Sequence, residues 1–235
     1  MTTPEVAKSL DAALASLLAS DAPLKVRLEA YAGILRERNQ LFAEAVDRLV
    51  ERLLAVGAGA SAPRVGDALP EFLLPSDDDR LISLSELLAR GPLVLAFRRG
   101  HWCPYCQIAT DALARAQNTI NSAGGHIAVI TPDREAYTRQ LKMDSGARFP
   151  ILSDLDNGYA LSIGLAISVG EEMRDFMTAR GRDLGAYQGS DAWLLPIPAT
   201  FVVDRQAVIR MRHVDPDYRT RASSDDIIAA LADIA

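Results

Sequence analysis

The chain has few of the residues that carry metal and thiol chemistry: its 235 residues include only two cysteines and three histidines. No apolar run approaches the roughly 18 residues that a membrane span needs, and residues 1–20 lack the basic and apolar parts of a secretory signal. Lysine and arginine form no long block and the net charge is -6, which argues against binding to nucleic acid or an anionic membrane. We therefore expect a cytoplasmic protein, without nucleic-acid or membrane partners, whose thiols are kept reduced.

Both cysteines belong to one CxxC motif, Cys103 and Cys106, which follows the apolar run Leu93 to Phe97. That run is typical of a buried strand, and the apolar spacing after the motif predicts a helix. The dithiol is thus predicted at a helix N-terminus, where free backbone N–H groups and the helix dipole favour a thiolate. Arg98 and Arg99 add positive charge nearby. We expect one thiol of the pair to be substantially ionised at neutral pH.

Other uses of a CxxC pair are less favoured by the residues. A disulfide between such close neighbours constrains the unfolded chain little, so a purely structural role would add little stability. Zinc would need two more ligands, and His101, His126 and His213 are the only histidines. Covalent haem attachment needs a histidine directly after the second cysteine, where this chain has Gln107. Redox chemistry is the main interpretation, with zinc binding and inert thiols as alternatives.

Residues 1–60 are predicted to form an N-terminal helical extension, broken near residues 20–23. Apolar positions from Leu28 to Leu53 recur at i, i+3 and i+4, which predicts one amphipathic helix of roughly 50 Å. Such a helix is longer than a small domain is wide. Its apolar face either folds back across its own domain or contacts a second subunit, which raises the possibility of a homodimer. A Gly, Ala, Ser and Pro segment at residues 57–63 then predicts a linker to a domain at residues 61–235.

The second domain, residues 61–235, alternates short apolar strands with helical segments and ends in a hairpin and a helix. Thr200 to Val203 and Ala207 to Val214 are predicted as strands joined by a turn at residues 204–206. This order predicts an α/β fold, a central mixed sheet with helices on both faces.

Three separated segments resemble the thioredoxin fold and, within it, the peroxiredoxin-like branch, the alkyl hydroperoxide reductase and thiol-specific antioxidant family. They are Val65 to Phe72 (VGDALPEF), Phe97 to Cys106 (FRRGHWCPYC) and Pro196 to Asp204 (PIPATFVVD). The resemblance covers the chain from about residue 64 onwards and leaves the N-terminal helices outside it.

The resemblance implies roles for particular residues and also shows departures. Cys106 takes the position of the peroxide-attacking cysteine. Cys103 stands where peroxiredoxins generally have threonine or serine, and Pro198 stands where they have arginine. The same substitutions resemble thioredoxins and glutaredoxins, in which a proline at the position of Pro198 is cis and lies against the dithiol. Two parts of the usual peroxidase site are therefore replaced.

Further residues around the motif are predicted to support the dithiol. Trp102 is expected to pack beside the thiols and restrict access of water. Since Arg98 and Arg99 follow a strand, alternation predicts that only one of them faces the site. Tyr105 is expected on the surface, in contact with a partner.

The sequence predicts a thiol-dependent oxidoreductase of peroxiredoxin type that uses no bound cofactor. Cys106 would attack a hydroperoxide and Cys103 would close an intramolecular disulfide, which thioredoxin, glutaredoxin or glutathione would reduce. The alternatives are thiol-disulfide exchange, with Cys103 as the nucleophile on a disulfide substrate, and a redox-sensing interaction protein without turnover.

Overall fold

A computed structural model describes residues 4–234, and its strands and helices alternate through much of the chain after the third helix. The strands are β1 (Leu73–Pro75), β2 (Leu81–Ser83), β3 (Leu93–Phe97), β4 (His126–Thr131), β5 (Ile151–Ser153), β6 (Ala166–Ser168), β7 (Leu194–Pro196), β8 (Ala199–Val203) and β9 (Ile209–Val214). The helices are α1 (Pro4–Ala19), α2 (Leu24–Arg38), α3 (Gln40–Ala55), α4 (Leu84–Ala89), α5 (Pro104–Ser122), α6 (Glu135–Ser145), α7 (Gly158–Ser162), α8 (Glu171–Ala179), α9 (Leu184–Gln188) and α10 (Ser224–Ala232).

The main sheet has five strands in the order β5-β4-β3-β8-β9, with β3 at its centre. β3, β4 and β5 run parallel, and Leu93 lies opposite His126. β8 is antiparallel to β3, with Phe97 opposite Ala199, and the predicted β8–β9 hairpin is present. Every residue of β3 and β8 is buried, as expected for strands covered on both faces.

Helices cover both faces of this sheet. Val94 and Ala96 share one core with side chains of α5, α6 and α10, whereas Leu95 and Phe97 share another with side chains of α4 and α7. The split follows from the two-residue period of a strand, which sends alternate side chains to opposite faces. The predicted α/β thioredoxin-like architecture is therefore confirmed.

The N-terminal region is helical as predicted, but the single long helix is wrong. Asn39, with φ -152° and ψ 72°, ends α2 and begins α3, and its side chain accepts a hydrogen bond from the Phe42 N–H. Asparagine is a favoured N-cap because its side chain satisfies a free N–H of the first turn. The apolar periodicity continues across this break, which is why the pattern alone did not reveal it.

The apolar faces of α1, α2 and α3 are covered by their own chain. α1 and α2 contact α5, and α3 contacts α8. Leu28, Tyr31 and Leu35 are buried in a core that also contains Trp102 and Cys103. The N-terminal helices thus pack directly over the dithiol region. None of the helices within residues 4–234 combines the length and apolar character needed to cross a membrane.

Candidate active site

The CxxC motif lies where the central strand β3 passes into α5. Cys103 is the N-cap of α5, with φ -91° and ψ 114°, and Pro104 occupies the first helical turn, where its missing N–H has no partner to lose. The Cys103 carbonyl accepts a hydrogen bond from the Cys106 N–H at 2.9 Å, so Cys106 lies inside the first turn. Both sulfurs are free thiols and both residues are buried.

Gly100 fixes the path of the loop before the motif. Its φ is +139°, and a Cβ at this position would collide with the Trp102 indole nitrogen and lie 2.8 Å from Asp133 Oδ1. Only glycine adopts this conformation readily, and the loop can therefore turn sharply between β3 and the dithiol.

Cys106 is surrounded by donors and cations. The Arg99 backbone N–H donates to its Sγ at 3.3 Å, and Arg221 Nη2 lies 3.7 Å from the same sulfur. Burial on its own raises the pKa of Cys106. The hydrogen bond from Cys103, the charges of Arg221 and Arg98 and the Arg99 N–H outweigh burial and hold the pKa well below its usual value. Cys106 is therefore the more acidic thiol of the pair.

Cys103 has the opposite character. Burial raises its pKa well above the usual value, and the hydrogen bond to Cys106 and the negative charge there raise it further. It lines a cavity of about 450 Å³ beneath the N-terminal helices. Of the two thiols, Cys106 thus loses its proton more readily and Cys103 less readily.

Both arginines after β3 lie near the dithiol, so the expectation that only one faces it is wrong. Arg98 is 2% exposed and its Nη1 donates to the Phe97 carbonyl. The Arg99 guanidinium lies 3.7 Å from the centre of the Tyr218 ring and 5.4 Å from that of Trp102. β3 ends at Phe97, so the alternation of a regular strand no longer fixes where Arg99 points.

Arg98 needs a negative charge close by. Within residues 4–234 it forms no ion pair with a carboxylate, and burial together with the charge of Arg221 lowers its pKa only to about 10. It is therefore a buried cation at neutral pH, which is unfavourable without compensation. The thiolate of Cys106 raises that pKa, as a compensating anion does.

Pro198 is buried directly before β8, and continuing the β3–β8 register places it opposite Arg98. No described peptide bond is cis, so the predicted cis bond at Pro198 is wrong. The chain enters this position from β7 and leaves it as β8, and a trans bond continues that extended path. Trp102 is buried and shares an apolar core with Cys103.

Tyr105 is buried rather than exposed, which corrects the sequence expectation. Its ring makes edge contacts with Tyr31 at 5.3 Å and Tyr218 at 5.4 Å between centroids. Burial raises its pKa, and the neighbouring Tyr218 and Tyr31 add to this. In a domain without the N-terminal helices, a side chain at this position of the CxxC motif would face solvent, but here α2 covers it.

Sequence reasoning missed several residues that line the site. Arg221 and Tyr218 come from the segment between β9 and α10, which no motif marks. Asp133 lies just beyond β4. Its Oδ2 accepts a hydrogen bond from the backbone N–H of His101 at 2.6 Å and lies 3.1 Å from His101 Nδ1. Its position could have been predicted, because the carboxyl ends of the parallel strands β3 and β4 meet at one edge of the sheet.

Comparisons with known proteins agree with this geometry. The AhpC/TSA family model matches residues 65–212, so the chain belongs to the AhpC/TSA family, as its motifs predicted. Arg221, Tyr218 and the N-terminal helices lie outside the matched segment.

A curated relative is the thiol:disulfide interchange protein DsbE of Pseudomonas aeruginosa, which is 29% identical over 150 residues. The match covers 64% of this chain and 66% of that protein, so the chain spans just under two thirds of the relative's length.

Solved structures show the same fold. Peroxidoxin BcpB from Mycobacterium tuberculosis has a TM-score of 0.57 at 20% identity, over 73% of this chain and 98% of that one. Reduced Prx3 from Vibrio vulnificus, solved in complex with hydrogen peroxide, has a TM-score of 0.58 at 17% identity, over 72% and 99%. Family, fold and dithiol together agree with the prediction of a peroxiredoxin-type thiol oxidoreductase.

Proposed function

We propose that this protein reduces hydroperoxides, with Cys106 as the attacking thiolate and Cys103 as the resolving thiol. The observation that carries the proposal is the set of groups on Cys106 Sγ: the Arg99 N–H at 3.3 Å and Arg221 at 3.7 Å. Peroxide cleavage needs a thiolate and preorganised donors for the charge that builds on the leaving oxygen. Arg221 and Arg98 supply cations here, although the peroxiredoxin arginine is replaced by Pro198.

The first step breaks the O–O bond. The Cys106 thiolate attacks the distal oxygen of ROOH, becomes a sulfenic acid and releases an alkoxide. The Cys103 thiol is the proton donor beside it, so we assign the proton of the resulting alcohol to Cys103. This transfer leaves Cys103 as the thiolate for the second step.

The second step forms the disulfide. The Cys103 thiolate attacks the Cys106 sulfur, the S–O bond breaks, and the released hydroxide takes a proton to become water. Reduction of this disulfide then takes two electrons, which come from one dithiol or from two glutathione molecules. Thioredoxin, glutaredoxin or glutathione fits this role in the cytoplasmic setting that the sequence predicts, and the cycle uses no bound cofactor. A homodimer remains part of the proposal.

Thiol-disulfide exchange is the second candidate, and one observation favours it. Cys103, not Cys106, lines the cavity, so a disulfide substrate would meet Cys103 first. In that reaction Cys103 passes its proton to Cys106 and attacks the substrate disulfide, which releases one substrate thiolate. Cys106 then gives the proton to that thiolate and resolves the mixed disulfide. The likeness to a thiol:disulfide interchange protein supports the same candidate.

Single cysteine variants separate the two candidates. The reduced Cys103→Ser variant should consume one equivalent of hydrogen peroxide and accumulate a sulfenic acid, which a dimedone label detects. The Cys106→Ser variant should not, and the variant lacking both cysteines sets the background. A burst in Cys106→Ser alone would reverse the assigned roles. Second-order rates no faster than those of free cysteine, in the unmodified protein, would reject the peroxidase in favour of disulfide exchange.

A further inference from the structure

The cavity beside Cys103 is much larger than hydrogen peroxide requires. Its volume is about 450 Å³, within the range of roughly 300 to 1,000 Å³ that holds organic ligands. Its inner end is formed by the buried residues Cys103, Arg99 and Trp102, whereas Arg180, Arg182 and Asp11 belong to its more exposed part. The cavity therefore leads from Cys103 towards the surface.

The walls between these two ends are apolar. Leu10 and Leu14 of α1, Leu35 of α2 and Met173 and Met177 of α8 line it. Methionine side chains adapt readily to ligands of different shape. None of these residues belongs to the CxxC motif, and α1 and α2 lie outside the segment that the family model matches. The N-terminal extension thus supplies more than a third of the residues that line the cavity.

The cavity as a whole carries a surplus of positive charge. Arg99, Arg180 and Arg182 line the cavity, and Asp11 is the one carboxylate among its described lining residues. Within residues 4–234, neither Arg180 nor Arg182 has a carboxylate partner within ion-pair distance. Arg180 instead lies over the Phe42 ring, 4.6 Å from its centre. Guanidinium groups of this kind suit a carboxylate ligand, which they can bind with two parallel hydrogen bonds.

We propose that the cavity selects organic hydroperoxides that carry an apolar body and a carboxylate, with Arg180 and Arg182 as the carboxylate-binding residues. This inference rests on the proposed function, since it places the peroxide group beside Cys103, whose thiol is hydrogen-bonded to the attacking Cys106. The apolar walls hold the body of the substrate, and the two arginines hold its far end. The N-terminal helices are then a specificity element.

The test compares a carboxylate with its ester. We expect kcat/KM for linoleic acid hydroperoxide to exceed that for its methyl ester by at least about tenfold, since hydrogen bonds to charged groups contribute about 1.5–3 kcal/mol. The double variant Arg180→Gln/Arg182→Gln should lose this preference. The matched control is Arg174→Gln, an exposed arginine on α8 that does not line the cavity, and it should keep the preference.

A binding measurement separates this inference from the proposed function. Tryptophan fluorescence should detect dodecanoate binding to the reduced protein, weakened at least about tenfold in the double arginine variant, with dodecanol binding less tightly. If the protein turns over peroxide but neither prefers the fatty acid hydroperoxide to its ester nor binds dodecanoate, this inference is wrong and the proposed function stands. Arginine-dependent dodecanoate binding without any peroxide turnover overturns the proposed function and leaves the cavity as a carboxylate site.

Discussion

Replacing Arg221 tests the central electrostatic claim about the dithiol. Arg221 reaches Cys106 from the segment before α10, and its Nη2 lies 3.7 Å from the sulfur. The Arg221→Gln variant removes this positive charge but keeps a polar side chain. Because the guanidinium stabilises the thiolate and not the thiol, its loss should raise the pKa of Cys106.

The size of the effect follows from the distance. Two unit charges about 3.7 Å apart interact by roughly 4 kcal/mol at an effective dielectric constant of about 20. Measured hydrogen bonds to charged groups give a smaller figure, about 1.5–3 kcal/mol. Since about 1.4 kcal/mol changes an equilibrium tenfold, the ratio of thiolate to thiol should fall by about tenfold to a thousandfold.

The assay is a pH titration of thiolate absorbance in the ultraviolet. It is best done in a Cys103→Ser background, where Cys106 is the only sulfur that titrates and a hydroxyl can still donate to it. Arg221→Lys, which keeps the charge, should recover part of the thiolate. Arg205→Gln, at an exposed arginine in the turn after β8, should leave the titration unchanged. An Arg221→Gln curve that coincides with the Arg205→Gln curve would refute the assigned role of Arg221.

Three further predictions concern pH and the N-terminal helices. Since the pKa of Cys106 is lowered, the peroxide rate in stopped-flow fluorescence should be flat above that pKa and fall tenfold per unit below it. A rate that instead rises up to the pKa of free cysteine, about 8.5, would contradict this. Deleting residues 1–60 should expose the core around Trp102 and lower the unfolding temperature. A stable deletion variant with unchanged fluorescence would show that the extension is dispensable for folding. Burial, aided by Arg90, lowers the pKa of His126 to about 4. The unfolded chain binds that proton near pH 6.5, so the free energy of unfolding should fall by about 1–3 kcal/mol between pH 6.5 and 4. In denaturant titrations, the free energy of unfolding should depend less on pH in the His126→Asn variant than in the unmodified protein. An equal dependence in both proteins would show that His126 is not its source.

The sequence alone determined the family, the fold and the place of the dithiol. The order of buried strand, CxxC motif and helix could be predicted because each depends on local sequence. Strand burial, helix initiation and the position of the cysteines at the helix N-terminus are all local properties. The position of Asp133 near the dithiol could also be predicted from the sequence, because Asp133 follows the strand next to β3. The position of Arg221 was not, since nothing in the local pattern relates residue 221 to residue 106.

Tertiary structure decided which thiol holds the charge and what covers it. Helix position favours a thiolate at either cysteine, and the choice of Cys106 depends on Arg221, Arg98 and the Arg99 N–H, which meet only in the folded chain. The burial of Tyr105 and the cavity beside Cys103 likewise depend on helices far away in sequence. Local pattern fixes elements and their order, whereas the charge and shape of the site come from contacts between distant segments, which a periodic pattern does not encode.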